Sequence, residues 1–217
     1  MSYSDILQLD ISRDGVAVMT LNRAKQRNAL SKALRSDLTN CLKDLAKDAD
    51  IEAVVITGSG DVFCAGFDLK ELSKDSQEEI FSDAKVYHHT VHTFTKPTIA
   101  AINGPAMAGG MDLAFMCDIR LGCHTSEFGQ PQIRMGIPAS YDLMRSVAGE
   151  SVARHLCLTG SKLTAQEALS SGVISKLYDD QEQLLNAVLA CAEGIAKSRV
   201  GPAMKTRFLS GQPKLYE

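Results

Sequence analysis

Phe63-Cys-Ala-Gly-Phe-Asp-Leu-Lys70 and Gly104-Pro-Ala-Met-Ala-Gly-Gly-Met-Asp-Leu-Ala-Phe-Met-Cys-Asp118 are two glycine-bearing segments, each preceded by an apolar run with the look of a buried strand, Ala53-Val-Val-Ile-Thr57 and Thr98-Ile-Ala-Ala-Ile102. The second segment opens into an apolar, helix-competent stretch from Met111 to Cys117. A strand–glycine–helix junction leaves backbone N–H groups without partners beyond the strand end, with the positive end of the helix dipole behind them. Two such junctions can aim two donors at one oxygen. That arrangement is an oxyanion hole, suited to chemistry that builds negative charge on a carbonyl oxygen.

The same residues carry a family resemblance. Cys64-Ala-Gly-Phe-Asp-Leu-Lys-Glu-Leu72 and Ala101-Ile-Asn-Gly-Pro-Ala-Met-Ala-Gly-Gly110 resemble the two oxyanion segments of the crotonase superfamily, the enoyl-CoA hydratases and isomerases. The likeness begins near Leu21-Asn-Arg23 and Asn28-Ala-Leu30 and continues through Asp112–Arg120, Phe128-Gly-Gln-Pro131 and Leu158–Ala168, so it covers roughly residues 5 to 205. It implies an α/β crotonase-like ββα spiral fold in one domain over 1–217, with a core of about 5–200. Family members continue past a segment like Pro202-Ala-Met-Lys205 with further helices, so the C-terminal helical region here is expected to be shortened.

What the resemblance implies for the site is specific. The donors are the backbone N–H groups of Phe67 and Gly109, at the latter of which a Cβ would obstruct a close-lying carbonyl. Ala65, Gly66 and Asp68 in the first segment and Gly110 in the second join the substrate-contacting set. Arg23, Lys25, Arg27 and Lys70 fall in segments that line the coenzyme A cleft. Hydratases of the family hold water with two glutamates, and this chain departs from them at both. Asp112 takes the first place, one methylene shorter, and Gln132 takes the second, with no titratable proton. The following loop, Ile137-Pro-Ala-Ser-Tyr-Asp-Leu143, is about three residues shorter than the glycine-rich family version, and it offers Ser140, Tyr141 and Asp142 as substitutes or as mere surface.

Composition sets the frame. The chain has 217 residues, 45% apolar and 23% charged, enough for one domain with a full core. A net charge of −3 gives no electrostatic case for nucleic acid or an anionic membrane. No apolar run reaches the roughly 18 residues that would span a bilayer. The start, Met1-Ser-Tyr-Ser-Asp-Ile-Leu7, has neither a basic n-region nor an apolar h-region and carries an early aspartate that a transit peptide would avoid. Six cysteines lie in apolar context with no Cys-x-x-Cys pair, which suits buried free thiols in a reducing cytoplasm.

Pattern supplies the remaining elements. Residues 6–12 and 16–21 alternate around the turn Arg13-Asp-Gly15, a hairpin. Ser31 can cap a helix that keeps Leu34, Leu38, Cys41, Leu42 and Leu45 on one face. Helices are expected over about 75–93, 109–117, from Thr164 in capping-box spacing with Glu167, over about 181–197, and from Pro202. Strand and helix alternate, which argues for a largely parallel sheet. His88 and His92 lie one turn apart but lack a third ligand, so they read as a polar helix face, and His124 and His155 as isolated structural residues. There is no phosphate-binding Gly-x-x-x-x-Gly-Lys-Ser/Thr loop, no Gly-x-Gly-x-x-Gly fingerprint and no Gly-x-Ser-x-Gly elbow.

The expected activity is therefore that of an acyl-CoA thioester enzyme of lipid metabolism, a lyase or isomerase. One-base isomerisation, decarboxylation or hydrolysis fits a single carboxylate better than hydration does. The alternative is an acyl-CoA-binding scaffold that kept the fold without the chemistry. No metal and no cofactor are expected, since coenzyme A belongs to the substrate. The resemblance implies a homotrimer or hexamer, and a cytoplasmic setting is expected.

Overall fold

The computed structural model describes residues 3–12, 14–72 and 77–216, of which the side chains of 72 and 77–83 are left undescribed. The opening alternation forms the hairpin. β1 (Leu7–Ile11) and β2 (Val16–Leu21) run antiparallel with Leu7 opposite Leu21. Arg13 of the expected turn lies outside the described residues. α1 (Lys32–Lys47) begins at Ser31, whose hydroxyl accepts the Leu34 N–H at 3.3 Å, and the five apolar residues expected on one face are buried.

β3 (Ala53–Gly58) then pairs parallel with β2, and β4 (Thr98–Ile102) parallel with β3. Between them lie the short α2 (Leu69–Leu72) and α3 (Gln77–His92). Residues 75 and 76, where the third helix was expected to begin, fall outside the description. After β5 (Ala106–Met107) come α4 (Gly109–Met116), β6 (Ile119–Cys123), β7 (Glu127–Gly129) and α5 (Tyr141–Thr159). β8 (Lys162–Thr164) leads into α6 (Ala165–Ser170), where Thr164 and Glu167 close the expected capping box. β9 (Lys176–Tyr178), α7 (Gln181–Ser198) and α8 (Gly201–Gly211) follow.

The large sheet has the order β1-β2-β3-β4-β6-β9, with every pairing after the hairpin parallel. Its central strands are apolar on both faces, as a parallel sheet covered on both sides requires. Val55, Ile99 and Ala101 pack with Leu184, Val188, Ala192 and Ala196 of α7 on one face. Val54, Ile56, Ala100 and Ile102 face α1, α3 and α4 on the other, in the larger core. A second sheet, β5-β7-β8, stands beside the first.

Five of the six cysteines are buried, and all six are free thiols. Among the described residues no helix is long and apolar enough to cross a membrane, and no cluster of three metal-ligating side chains occurs.

Candidate active site

The two glycine segments are zipped together by their backbones. The Cys64 N–H donates to Pro105 O at 3.2 Å and the Met107 N–H to Cys64 O at 2.9 Å. Two glycines make this approach possible. A Cβ on Gly110 would stand 2.1 Å from the Cys64 carbonyl oxygen, which no side chain survives. Gly66 sits at φ +92°, and a Cβ there would meet both Ala108 Cβ and Met107 O at 2.9 Å. Both are therefore walls of the site's construction, and neither lines its cavity.

The zipper brings Phe67 and Gly109 side by side. A Cβ on Gly109 would rest 3.4 Å from the Phe67 ring. Among the described residues neither N–H donates to a backbone carbonyl, and Gly109 is the first residue of α4, at the positive end of its dipole. The residue before it, Ala108, has φ 50° and ψ −125°, a region that L-residues avoid. Its N–H is held by Gly129 O at 2.8 Å and its carbonyl accepts the Asp112 N–H at 3.1 Å. Strain of this kind, retained by surrounding bonds, marks sites where backbone direction matters more than local stability.

Phe67 and Gly109 open into a cavity of about 840 Å³. Of the residues singled out from the sequence, Lys25, Arg27, Ala65, Asp68, Lys70, Asp112, Gln132 and Ser140 line it as well. Lys25, Arg27 and Lys70 are exposed at its rim, where an anionic ligand end would meet them. Besides Gly66 and Gly110, two more expected contacts do not lie there. Arg23 turns inward, pairing with Asp68 Oδ2 at 2.9 Å and donating to the Ala29 carbonyl, so it braces the first segment instead of meeting ligand. Tyr141 points away, its hydroxyl 3.4 Å from Glu150 and its ring beneath Arg145, and Asp142 is a surface partner of the same arginine.

Asp112 is the chemical centre. It is buried on the first turn of α4, where Oδ1 accepts from Gln130 Nε2 and Oδ2 from Ser140 Oγ, each at 2.9 Å. Burial raises its pKa to about 6, against the downward pull of those two hydrogen bonds. Two other carboxylates line the cavity, and each has a cation: Asp68 has Arg23, and Glu127 has Lys162 at 2.8 Å. Gln132 donates through Nε2 to Gln130 Oε1, while its own Oε1 is buried without a partner. An amide chain from Gln132 through Gln130 thus fixes the Asp112 carboxylate. A carboxylate of pKa about 6 in a cavity that Phe67 and Gly109 also line has the chemistry to take a proton from a carbon next to a carbonyl and return it.

Several lining residues escape sequence reading. His88 and His92 are buried, not a polar helix face; His88 lines the cavity, and burial, with Arg35 nearby, lowers its pKa to about 4. His124 and His155 are exposed, and His124 pairs with Asp179 at 3.5 Å, so neither has the structural role expected of it. Lys162 and Glu127 reach the rim from β8 and β7. Tyr216 also reaches the cavity: the residues after α8 return over α3, with Gln212 Nε2 donating to His92 O at 2.8 Å and His92 Nε2 lying 3.0 Å from Pro213 O. Only the helical spacing of His88 and His92 hinted at any of these.

Residues 12–209 match the family model described as enoyl-CoA hydratase/isomerase. The chain is 41% identical over 186 residues to a protein of Dictyostelium discoideum named probable mitochondrial enoyl-CoA hydratase, covering 83% of this chain and 66% of that one. It is 31% identical to the mitochondrial Delta(3,5)-Delta(2,4)-dienoyl-CoA isomerase of Mus musculus, covering 88% of this chain and 64% of that one. The chain thus spans about two thirds of the length of these two curated relatives. Among solved structures, the enoyl-CoA hydratase from Mycobacterium tuberculosis H37Rv superposes with a TM-score of 0.80 at 33% identity, covering 95% of this chain and 88% of that one.

Proposed function

The chain belongs to the enoyl-CoA hydratase/isomerase family and has its crotonase fold, and from that premise we propose that it processes acyl-CoA thioesters through an enolate by one-carboxylate proton shuttling. The observation that carries this reading is Asp112: a buried carboxylate with no cationic partner among the described residues, in the cavity onto which Gly109 and Phe67 open. Asp112 removes the proton alpha to the thioester carbonyl, and the charge that develops on the carbonyl oxygen is held by the N–H groups of Phe67 and Gly109. Each donor is worth roughly 3 kcal/mol of barrier. Lys25, Arg27, Lys70 and Lys162 at the rim meet the phosphates of coenzyme A, so no separate cofactor enters the reaction.

Isomerisation suits the site better than hydration because hydration needs a second titratable group to activate water, and Gln132 has none. The relatives' names include both reactions. A second reading, a thioester-binding protein without turnover, is favoured by the same amide at Gln132.

The test is a panel of 2-enoyl-, 3-enoyl- and malonyl-type CoA thioesters with mass detection. The expected result is double-bond migration in a 3-enoyl-CoA together with hydration of crotonyl-CoA weaker by about 10²-fold or more, the usual worth of one acid–base group. Gln132→Glu is expected to raise hydration. Wild-type hydration that outpaces isomerisation would overturn the isomerase reading, and binding without conversion of any thioester would favour the scaffold.

A further inference from the structure

The buried polar atoms of the site include one that the reaction above does not use. The Tyr216 side chain lines the cavity, and its hydroxyl oxygen is buried without a well-formed hydrogen bond among the described residues. The ring is held firmly. It stacks on His88, with centroids 5.0 Å apart and planes 23° apart, and meets the His92 ring edge-on at 5.4 Å. His92 in turn is tied to Gln212 and Pro213, the backbone just before the tyrosine. A buried hydroxyl held only loosely costs stability, a loss that a ligand atom in the cavity would remove.

The surroundings of the hydroxyl define its chemistry. Burial first, then the charge of Asp112, push the Tyr216 pKa well above the ordinary phenol value, so the group keeps its proton and acts as a donor. Ser140 lies between the two. Its hydroxyl makes a loose hydrogen-bonding contact with Tyr216 while donating to Asp112 Oδ2 at 2.9 Å.

We propose that Tyr216 is a second catalytic residue, the proton donor to the distal carbon of the substrate, linked to Asp112 through the Ser140 hydroxyl. The proposal rests on the proton-shuttling function above and extends it. With a 3-enoyl thioester, the alpha C–H bond breaks and its proton goes to the Asp112 carboxylate. The electron pair passes into the conjugated dienolate, whose oxygen is held by the two backbone N–H groups. The pair then forms a C–H bond at the gamma carbon, taking its proton from the Tyr216 hydroxyl. The proton on Asp112 moves to Ser140 as the Ser140 proton moves to the phenolate, which restores both groups without any other reactant. A donor separate from the base also answers a geometric problem: alpha and gamma carbons are two bonds apart, and a short aspartate reaches one of them more readily than both.

Tyr216→Phe tests this, because it keeps the ring and its stack on His88 and removes the hydroxyl alone. Two readouts are taken on the full chain: alpha-proton exchange of a saturated acyl-CoA in deuterated water, and conversion of a 3-enoyl-CoA to its 2-enoyl isomer. The proposal expects exchange and acyl-CoA affinity within about two-fold of wild type, while conversion falls by roughly 10²–10³-fold, the range of general-acid catalysis. A purely packing role for the ring leaves conversion unchanged, and that result overturns the proposal. Loss of affinity and exchange together with conversion overturns it too, by showing that the hydroxyl supports the cavity. Wild-type protein that neither exchanges nor isomerises fails the underlying function and the proposal with it; wild-type protein that does both while Tyr216→Phe isomerises equally well fails the proposal alone.

Discussion

At the scale of single residues, Asp112 links the chemistry to a stability that depends on pH. Burial pushes its carboxyl up to about 6 in the folded protein, above the ordinary aspartate value. Between about pH 4 and 6 the folded state therefore holds a proton that the unfolded chain releases, and stability falls as pH rises through that window. A shift of about two units corresponds to about 3 kcal/mol, all of it lost above pH 6 and none below 4. Asp112→Asn removes this dependence. Urea unfolding of both proteins should show the variant gaining on wild type by up to about 3 kcal/mol between pH 4 and pH 7. A constant difference across that range would show that the carboxyl is not held as described. The same elevated value predicts that thioester turnover at low substrate rises with pH to an inflection near 6.

Sequence reading placed Asp112, Gln132, Ser140, Phe67 and Gly109 correctly along the cavity because each is, or lies within two residues of, a recognisable glycine or proline. It misplaced Arg23 and Tyr141, since charge and position along the chain do not reveal which way a side chain turns. It missed His88 and Tyr216 because the two are brought together only by packing.

At the scale of elements, the site is the meeting of a bridging loop and the start of α4, and its glycines differ in what they do. Gly110 allows the backbones to touch, whereas Gly109 leaves the proposed donor uncovered by a side chain. A Cβ on Gly110 would collide with the Cys64 carbonyl at 2.1 Å, but on Gly109 it would make an ordinary 3.4 Å contact with Phe67. Gly110→Ala is accordingly expected to lower stability by about 1–3 kcal/mol or more, as overpacked cores do. Gly109→Ala should unfold close to wild type and, because alanine keeps the backbone N–H, lose turnover only as far as its Cβ obstructs a carbonyl lying against the backbone. Thermal unfolding separates them, and a Gly109→Ala protein as destabilised as Gly110→Ala would show that both glycines serve the backbone contact.

Strand–helix alternation and caps at Ser31 and Thr164 were legible because their periodicity and capping chemistry are local. α5 gave no such signal. Gly149, at φ 75° and ψ 166°, breaks the helix in two and disrupts its apolar spacing. β5, β7 and β8, of two or three residues each, are too short to show alternation and exist through their pairing.

At the scale of the whole molecule, one sheet with two covered faces carries the site at one side, and α8 is anchored to it from a distance. Lys205 is almost fully buried and bonds Asp118 Oδ1 at 2.7 Å, while Asp118 Oδ2 accepts from the Thr98 N–H at 2.8 Å and its hydroxyl at 3.0 Å. This pair joins α8 to the start of β4 and so fixes the chain that leads on to Tyr216. Lys205→Met leaves a buried aspartate without its cation and should cost about 3–5 kcal/mol, with Asp118→Asn in the same chain recovering part of it. Equal midpoints for wild type and Lys205→Met in urea would show the anchor to be dispensable. The lengthwise extent of the fold was legible from the two glycine segments and their flanks, but this 87-residue bridge was not, since nothing local ties Lys205 to Asp118.

The central claim is that this cavity turns an acyl-CoA thioester into its enolate with Asp112 as the base. Proton NMR of a saturated acyl-CoA in deuterated water, with wild type and with Asp112→Asn, tests it most directly. The account predicts that wild type replaces the alpha protons with deuterium and that Asp112→Asn binds the thioester equally tightly while exchange falls by roughly 10²–10⁴-fold. Tight binding of the thioester by wild type with no exchange of its alpha protons would contradict it.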